Sequence, residues 1–209
     1  MFQDRTDAGE RLAADLARRG VDADVVLAIP RGALPVARPV ADELEADLDV
    51  VVASKIGAPN NPELAIGAVA SDGSLWRNEA LIARLGVSEA YVEAEREREA
   101  TYAREKADRY RDGGIVPDLA GKRVIVVDDG VATGATARAC LRQVTEAGAD
   151  HVVLAVPVGS PDSLEEIATE ADEIVALETP RSFGAVGQFY RQFDQVSDEE
   201  AIAYLEGRR

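Results

Sequence analysis

The sequence predicts an α/β fold: an open, mainly parallel five-stranded sheet flanked by helices, with a hairpin and long-helix insertion and a small C-terminal hood. Three observations predict it. Five short β-branched runs are apolar almost throughout, as strands buried on both faces of a parallel sheet must be. Helical patterns separate most of them, and such alternation marks an open α/β sheet. The alternation breaks once, between Lys55 and Lys122, where a hairpin and a long charged helix stand instead. The whole stretch 1–209 reads as one domain, with the insertion at about 56–118 and the hood at about 179–209.

The elements follow in order. Residues 7–19 place Ala8, Leu12 and Leu16 on one helical face, and Gly20 suits the C-cap. Val25–Ile29 is the first strand, and a helix over Leu34–Leu48 leads to the second, Val50–Ala53. Residues 66–77 read as a hairpin turning at Asp72-Gly73, a pair that favours tight primed turns. Residues 88–112 read as one long helix. It pairs Glu93 with Arg96 and Glu105 with Arg109, each pair contributing about 0.2–0.5 kcal/mol. Val124–Val127 is the third strand. The helix over 135–147 aligns Ala137, Cys140, Leu141 and Val144 and ends at Gly148. Val152–Val156, a short helix beginning at Leu164–Ala168, and Ile174–Leu177 complete the sheet. A closing helix spans 197–207, with Ser197 as N-cap.

Composition excludes several function classes. Cys140 is the single cysteine and His151 the single histidine, so neither an intrachain disulfide nor a Cys/His zinc site can form. Cys140 belongs to the apolar helix stripe and His151 to the surface. No apolar run approaches the roughly 20 residues that span a bilayer. The first 20 residues carry acids where a secretory signal carries an apolar stretch, which points to a cytoplasmic protein. Asp and Glu number 39 against 23 Lys and Arg, for a net charge of −16. Such a surface repels nucleic acid and anionic membrane. It suits a halophilic cytosol, where the Debye length falls to about 3 Å and self-repulsion is screened. A GC-rich genome is the alternative source of the same bias, since Lys55, Lys106 and Lys122 are the only lysines.

The segment that carries chemistry runs from Val124 to Thr136. A buried strand ends in Asp128 and Asp129. Gly130, Val131, Ala132, Thr133, Gly134, Ala135 and Thr136 follow as a Gly/Thr-rich loop entering a helix. Ligands of open α/β sheets bind at that edge of the strands. Loop N–H groups and a helix N-terminus attract phosphate, helped by about half a positive charge from the helix dipole. A phosphate cradle beside two carboxylates suits a sugar phosphate. No Lys-Ser or Lys-Thr follows the second glycine, so this is not a P-loop, and the dinucleotide fingerprint is absent.

With these residues in view, segment 124–136 resembles the thirteen-residue signature with which type I phosphoribosyltransferases bind 5-phosphoribosyl-1-pyrophosphate (PRPP). The resemblance implies that Asp128 and Asp129 hold the ribose 2′- and 3′-hydroxyls and that 130–136 holds the 5′-phosphate. It extends to Arg31, Gly32 and Ala33 after the first strand, where the family carries a pyrophosphate loop, often with a strained or cis peptide. It extends also to Lys55–Gly67, where the family carries a mobile lid, with Lys55 set to meet pyrophosphate as a point charge. Phe183, after Pro180, matches the aromatic that stacks on the base in purine-using relatives, with one residue more before the next glycine. Ala132 stands where hypoxanthine–guanine relatives carry an acid, which disfavours a 6-oxopurine. The chain looks most like a little-characterised bacterial and archaeal branch of the family.

The resemblance implies an enzyme of nucleotide metabolism. It would displace pyrophosphate from PRPP with a purine or pyrimidine, as a homodimer using Mg²⁺ held mainly by PRPP and water. Asp128, Asp129 and Lys55 would be its catalytic residues. The alternative is a PRPP-binding sensor on the same fold. Against that stand the acidic surface and the lack of room for a separate DNA-binding domain in 209 residues.

Overall fold

A computed structural model describes residues 1–111 and 117–207. Helix α1 (Arg5–Arg19) is capped at both ends: Asp4 accepts from the Asp7 N–H, and Gly20 closes it at φ 72°. Strand β1 (Val25–Ala28) leads into α2 (Leu34–Glu43), with Pro35 in its first turn. Strands β2 (Asp47–Val50), β3 (Ala53–Ala58), β4 (Asn61–Ala70) and β5 (Leu75–Arg77) follow. Helices α3 (Glu79–Leu85) and α4 (Glu89–Arg111) come next. Then come β6 (Arg123–Val127), α5 (Ala135–Glu146), β7 (His151–Val158), α6 (Pro161–Ile167), β8 (Glu173–Glu178) and α7 (Asp198–Glu206).

The main sheet is parallel, in the order β2-β1-β6-β7-β8. Its central strands are buried residue by residue, which is why they read as unbroken apolar runs. Connections leave β1 toward β2 and β6 toward β7, in opposite directions. A crevice therefore opens between the carboxyl ends of β1 and β6, where open sheets place their ligands. Leu27, Ile125, Leu141 and Leu154 lie at the centre of the core.

The second strand differs from expectation. Val51 and Val52 are buried but belong to neither sheet, and β2 lies earlier, at Asp47–Val50. This strand is on the sheet edge with its outer face open, so its DLDV sequence alternates instead of running apolar. The helix before it stops at Glu43, because the chain must turn, with Glu45 at φ 53°, to enter that edge.

The insertion is built on an antiparallel sheet, β3-β4-β5. Its β4–β5 hairpin turns at Asp72-Gly73 as expected, with Gly73 at φ 101° and Asp72 accepting from the Ser74 N–H and hydroxyl. The segment expected around the lid contains β3, which pairs with β4 in a bulged ladder. Short α3, not expected from the sequence, is capped by Asn78 and Gly86. The long helix matches expectation to within a residue, although Asp112 lies outside the described residues. Glu93 and Arg96 pair at 2.5 Å, whereas Arg109 pairs with Asp198 at 3.1 Å rather than with Glu105. Cys140 is fully buried, and His151 opens β7 at the surface, 3.6 Å from Asp172. No helix among the described residues is long and apolar enough to cross a membrane.

Candidate functional site

Two loops meet over the crevice. The first leaves β1 through a cis Pro30–Arg31 peptide and turns at Arg31–Ala33 into α2. Ala33 is fully buried at the helix start, and Gly32 faces the crevice. The second loop leaves β6 through Asp128 and Asp129. Packing pins it from beneath: the Val131 N–H donates to the Val158 carbonyl at 2.9 Å, and the Ser160 N–H donates to the Val131 carbonyl at 2.9 Å. The Ser163 hydroxyl donates to the Ala132 carbonyl at 2.5 Å.

That pinning decides which amides are free. The Val131 N–H is spent on the end of β7, so the loop does not offer every amide from 130 to 136. Among the described residues, nothing accepts from the backbone N–H groups of Ala132, Thr133, Gly134, Ala135 or Thr136. These converge on the start of α5, where Gly134 takes φ 73°, a left-handed turn that favours glycine. Gly130 also has a packing role. A Cβ there would fall 2.5 Å from Val186 Cγ1, so its bare backbone makes room for the hood.

Gly32, Lys55, Lys106, Asp128, Asp129 and Thr136 line one cavity of about 350 Å³. Five of these were candidates from the sequence; Lys106 was not. The Asp128 carboxylate accepts from the Asp129 N–H at 2.8 Å. The Arg5 Nε–H donates to Asp129 Oδ2 at 2.8 Å, and the Tyr190 hydroxyl donates to the Asp129 carbonyl at 2.6 Å. Burial pushes both carboxyls above the ordinary Asp value. At Asp128 the adjacent Asp129 charge adds to the rise, while at Asp129 the Arg5 cation opposes it. Two buried carboxylates with one flanking cation favour a ligand that donates hydroxyl hydrogen bonds.

The basic groups are spread over two neighbouring cavities that share Lys106. Lys55 Nζ lies 3.7 Å from Glu63 and is about half exposed, on the outer strand of the insertion. Arg31 lies beside the main cavity in a second one of about 260 Å³, which it shares with Lys106, Arg109 and Tyr110. Asp198, from the start of α7, faces this group: it accepts from the Tyr110 hydroxyl at 2.8 Å and sits 3.6 Å from Arg31.

The hood packs against the loop through aromatic contacts. Phe183 and Phe189 rings lie 5.2 Å apart, and Tyr190 stacks between Phe2 and Phe193 at 5.3 and 4.9 Å. Phe183 is partly exposed and stands outside the cavity of the two acids. Among the described residues, no three His, Cys, Asp or Glu side chains converge as a metal site. The cavity offers two carboxylates. That set suits a Mg²⁺ carried chiefly by phosphate oxygens and water, since Mg²⁺ accepts one or two carboxylates beside its substrate ligands.

The profile of the phosphoribosyl transferase domain matches residues 2–194. The chain belongs to this family. A Mycobacterium tuberculosis protein, provisionally named a phosphoribosyl transferase, is 45% identical over 206 residues, covering 99% of this chain and 46% of that protein. This phosphoribosyl transferase domain thus spans about half the length of the curated relatives it matches. The crystal structure of TT1426 from Thermus thermophilus is 43% identical, with a TM-score of 0.83 over 98% of this chain and 97% of that one. The AQ2163 protein of Aquifex aeolicus shares the fold at 13% identity and a TM-score of 0.52, over 88% and 78% of the two chains.

Sequence reasoning missed Arg5, Tyr190 and Lys106. Arg5 meets Asp129 across 124 positions, and no local spacing signals such a contact. Lys106 lies among the charges of α4, and its one signal was the scarcity of lysine.

Proposed function

We propose that this domain transfers the 5-phosphoribosyl group of PRPP to a nitrogenous base, releasing pyrophosphate. The observation that carries the reading is the row of unpaired N–H groups from Ala132 to Thr136 at the start of α5, beside Asp128 and Asp129. The amides and the Thr133 and Thr136 hydroxyls bind the 5′-phosphate, aided by the helix dipole. Asp128 and Asp129 accept from the ribose 2′- and 3′-hydroxyls. The loop Arg31–Ala33 faces the pyrophosphate, at a cavity that Lys55 also lines. Phe183 is the aromatic offered to the base.

A base nitrogen attacks C1 of the ribose as the bond from C1 to the pyrophosphate oxygen breaks, and the base gives up a proton to solvent. The positive charge that grows on the ribose ring is stabilised by the carboxylates beneath it, and the leaving oxygens by the cations. Mg²⁺, when bound on PRPP and water, neutralises pyrophosphate charge. The reading includes a homodimer working in the cytoplasm.

The test is calorimetric titration of PRPP with and without Mg²⁺, followed by a pyrophosphate-release screen over purines and pyrimidines. Mg²⁺-dependent binding and release with one base support the transferase. Binding without release for any base supports a PRPP sensor instead, and no binding in low or molar KCl ends both readings.

A further inference from the structure

Lys106 is the one lysine on the inner wall of both cavities, the one that holds Asp128 and Asp129 and the one that holds Arg31 and Arg109. It reaches there from α4, so the long charged helix carries it over the crevice. Its ammonium donates to the Pro30 carbonyl at 3.0 Å, at the entrance to the Arg31–Ala33 loop. Among the described residues it has no ion pair within 4 Å and no second hydrogen-bond acceptor. An ammonium has three donors, so two remain for a ligand.

The charges around it are unevenly matched. Asp198 lies 3.1 Å from Arg109 and 3.6 Å from Arg31, and so offsets the guanidiniums. Among the described residues, no carboxylate reaches ion-pair distance of Lys106. Burial first, and then the Arg31 guanidinium, push its pKa down against the pull of Asp198. Arg31, Lys106 and Arg109 face Glu105 and Asp198 around the second cavity, three cations to two carboxylates. Lys55, by contrast, is half exposed, and its nearest carboxylate is Glu63 on the same hairpin. A fixed, half-buried cation beside a second cation and a backbone turn is built for a polyanion.

We infer that Lys106, rather than Lys55, is the lysine that binds the pyrophosphate of PRPP, acting with Arg31 across the two cavities. The inference rests on the transferase reading and adds to it a residue from the inserted helix. It makes α4 part of the binding site, and it assigns the second cavity, with Arg109, to the outer phosphate.

The presence of just three lysines permits a test on the unaltered protein. Reductive methylation, read by mass spectrometry, follows Lys55, Lys106 and Lys122 separately, with and without inorganic pyrophosphate, PRPP with Mg²⁺, or ribose 5-phosphate. The expected result is protection of Lys106 by pyrophosphate and by PRPP but not by ribose 5-phosphate, with Lys122 unchanged. Lys106→Met should weaken pyrophosphate binding about tenfold or more while leaving ribose 5-phosphate affinity within about twofold, the pattern for loss of one charge-assisted hydrogen bond. Lys106→Arg should restore part of it. PRPP binding that protects Lys55 and leaves Lys106 reactive overturns the inference and leaves the transferase reading standing. Failure of wild-type protein to bind PRPP, with pyrophosphate still protecting Lys106, overturns the transferase reading and keeps the anion site. Failure of both ligands to bind overturns both.

Discussion

Arg5, on the first turn of α1, grips Asp129, at the end of β6, through a 2.8 Å hydrogen bond with both side chains largely buried. The same guanidinium donates to the Asp194 carbonyl at 2.7 Å, and its Cζ lies over the Phe193 ring, 3.7 Å from the centroid. One side chain therefore joins the N-terminal helix, the C-terminal hood and the acid proposed to hold ribose. Arg5→Ala should cost about 2 kcal/mol, from the loss of a partly buried charged hydrogen bond, and lower Tm by roughly 4–8 °C. It should also weaken PRPP binding about tenfold. Arg5→Lys should recover stability better than affinity, since an ammonium cannot serve Asp129 and Asp194 in one plane. Thermal melts and PRPP titrations of both variants check this, and unchanged PRPP affinity in Arg5→Ala would remove Arg5 from the site.

Gly32 is sterically locked to the same carboxylate. A Cβ at position 32 would fall 2.2 Å from Asp129 Oδ2 and 3.3 Å from Arg5 Nε. The carboxylate would have to turn away and give up its bond to Arg5. Gly32→Ala should thus lower PRPP affinity by at least about tenfold, one charge-assisted hydrogen bond, with an unchanged circular dichroism spectrum. Full PRPP affinity in this variant would show that Asp129 is free to move without consequence.

Asp128 carries a cost in stability that binding offsets. Its folded pKa is raised above the ordinary 3.8 by burial and by Asp129. A raised carboxyl binds its proton more tightly when folded. Its contribution to stability is therefore present below 3.8 and is lost as pH rises through the folded value. Asp128→Asn should raise the Tm of the ligand-free protein at pH 7 by roughly 2–4 °C, about 1 kcal/mol in a domain of this size. The gain should shrink as pH falls toward 3.8. The same substitution should abolish tight PRPP binding. In the parent protein PRPP affinity should decline on acidification, beginning above the ordinary Asp range, because the ionised carboxylate is the better acceptor for a ribose hydroxyl. Paired melts over a pH series, with titrations alongside, decide it. A destabilised Asp128→Asn at pH 7 would contradict the assignment of strain to this acid.

Salt should stabilise the fold. With 39 acids against 23 basic residues, repulsion among carboxylates outweighs the loss of exposed pairs such as Arg123–Asp24 at 2.8 Å. Tm should rise between low salt and molar KCl. A flat or falling Tm would turn the acidity into a compositional habit without a halophilic role.

By itself the sequence determined what depends on short-range order. Alternation of apolar runs and helical stripes specified the main sheet, because strands buried on both faces admit little else. The Asp128–Thr136 segment was legible because acids, glycines and threonines at fixed spacing leave few other folds for the backbone. Its amides were not: that Val131 spends its N–H on Val158 depends on where the loop after β6 meets the end of β7. The edge strand Asp47–Val50 was hidden because an edge needs no continuous apolar run. The pairing of Ala53–Ala58 with β4 was hidden because register is a relation between two strands.

The tertiary structure alone decided which charges share a space. In the sequence Lys55 stands out at the end of a strand, while Lys106 is hidden among the charges of a long helix. Chain topology leaves Lys55 half exposed beside Glu63 at the rim of the cavity and brings Lys106 to Pro30, 76 positions away. Arg5 reaches Asp129 in the same manner. A charge acts through a few ångströms of space, and distance along the chain says little about that separation once the sheet has brought remote segments together.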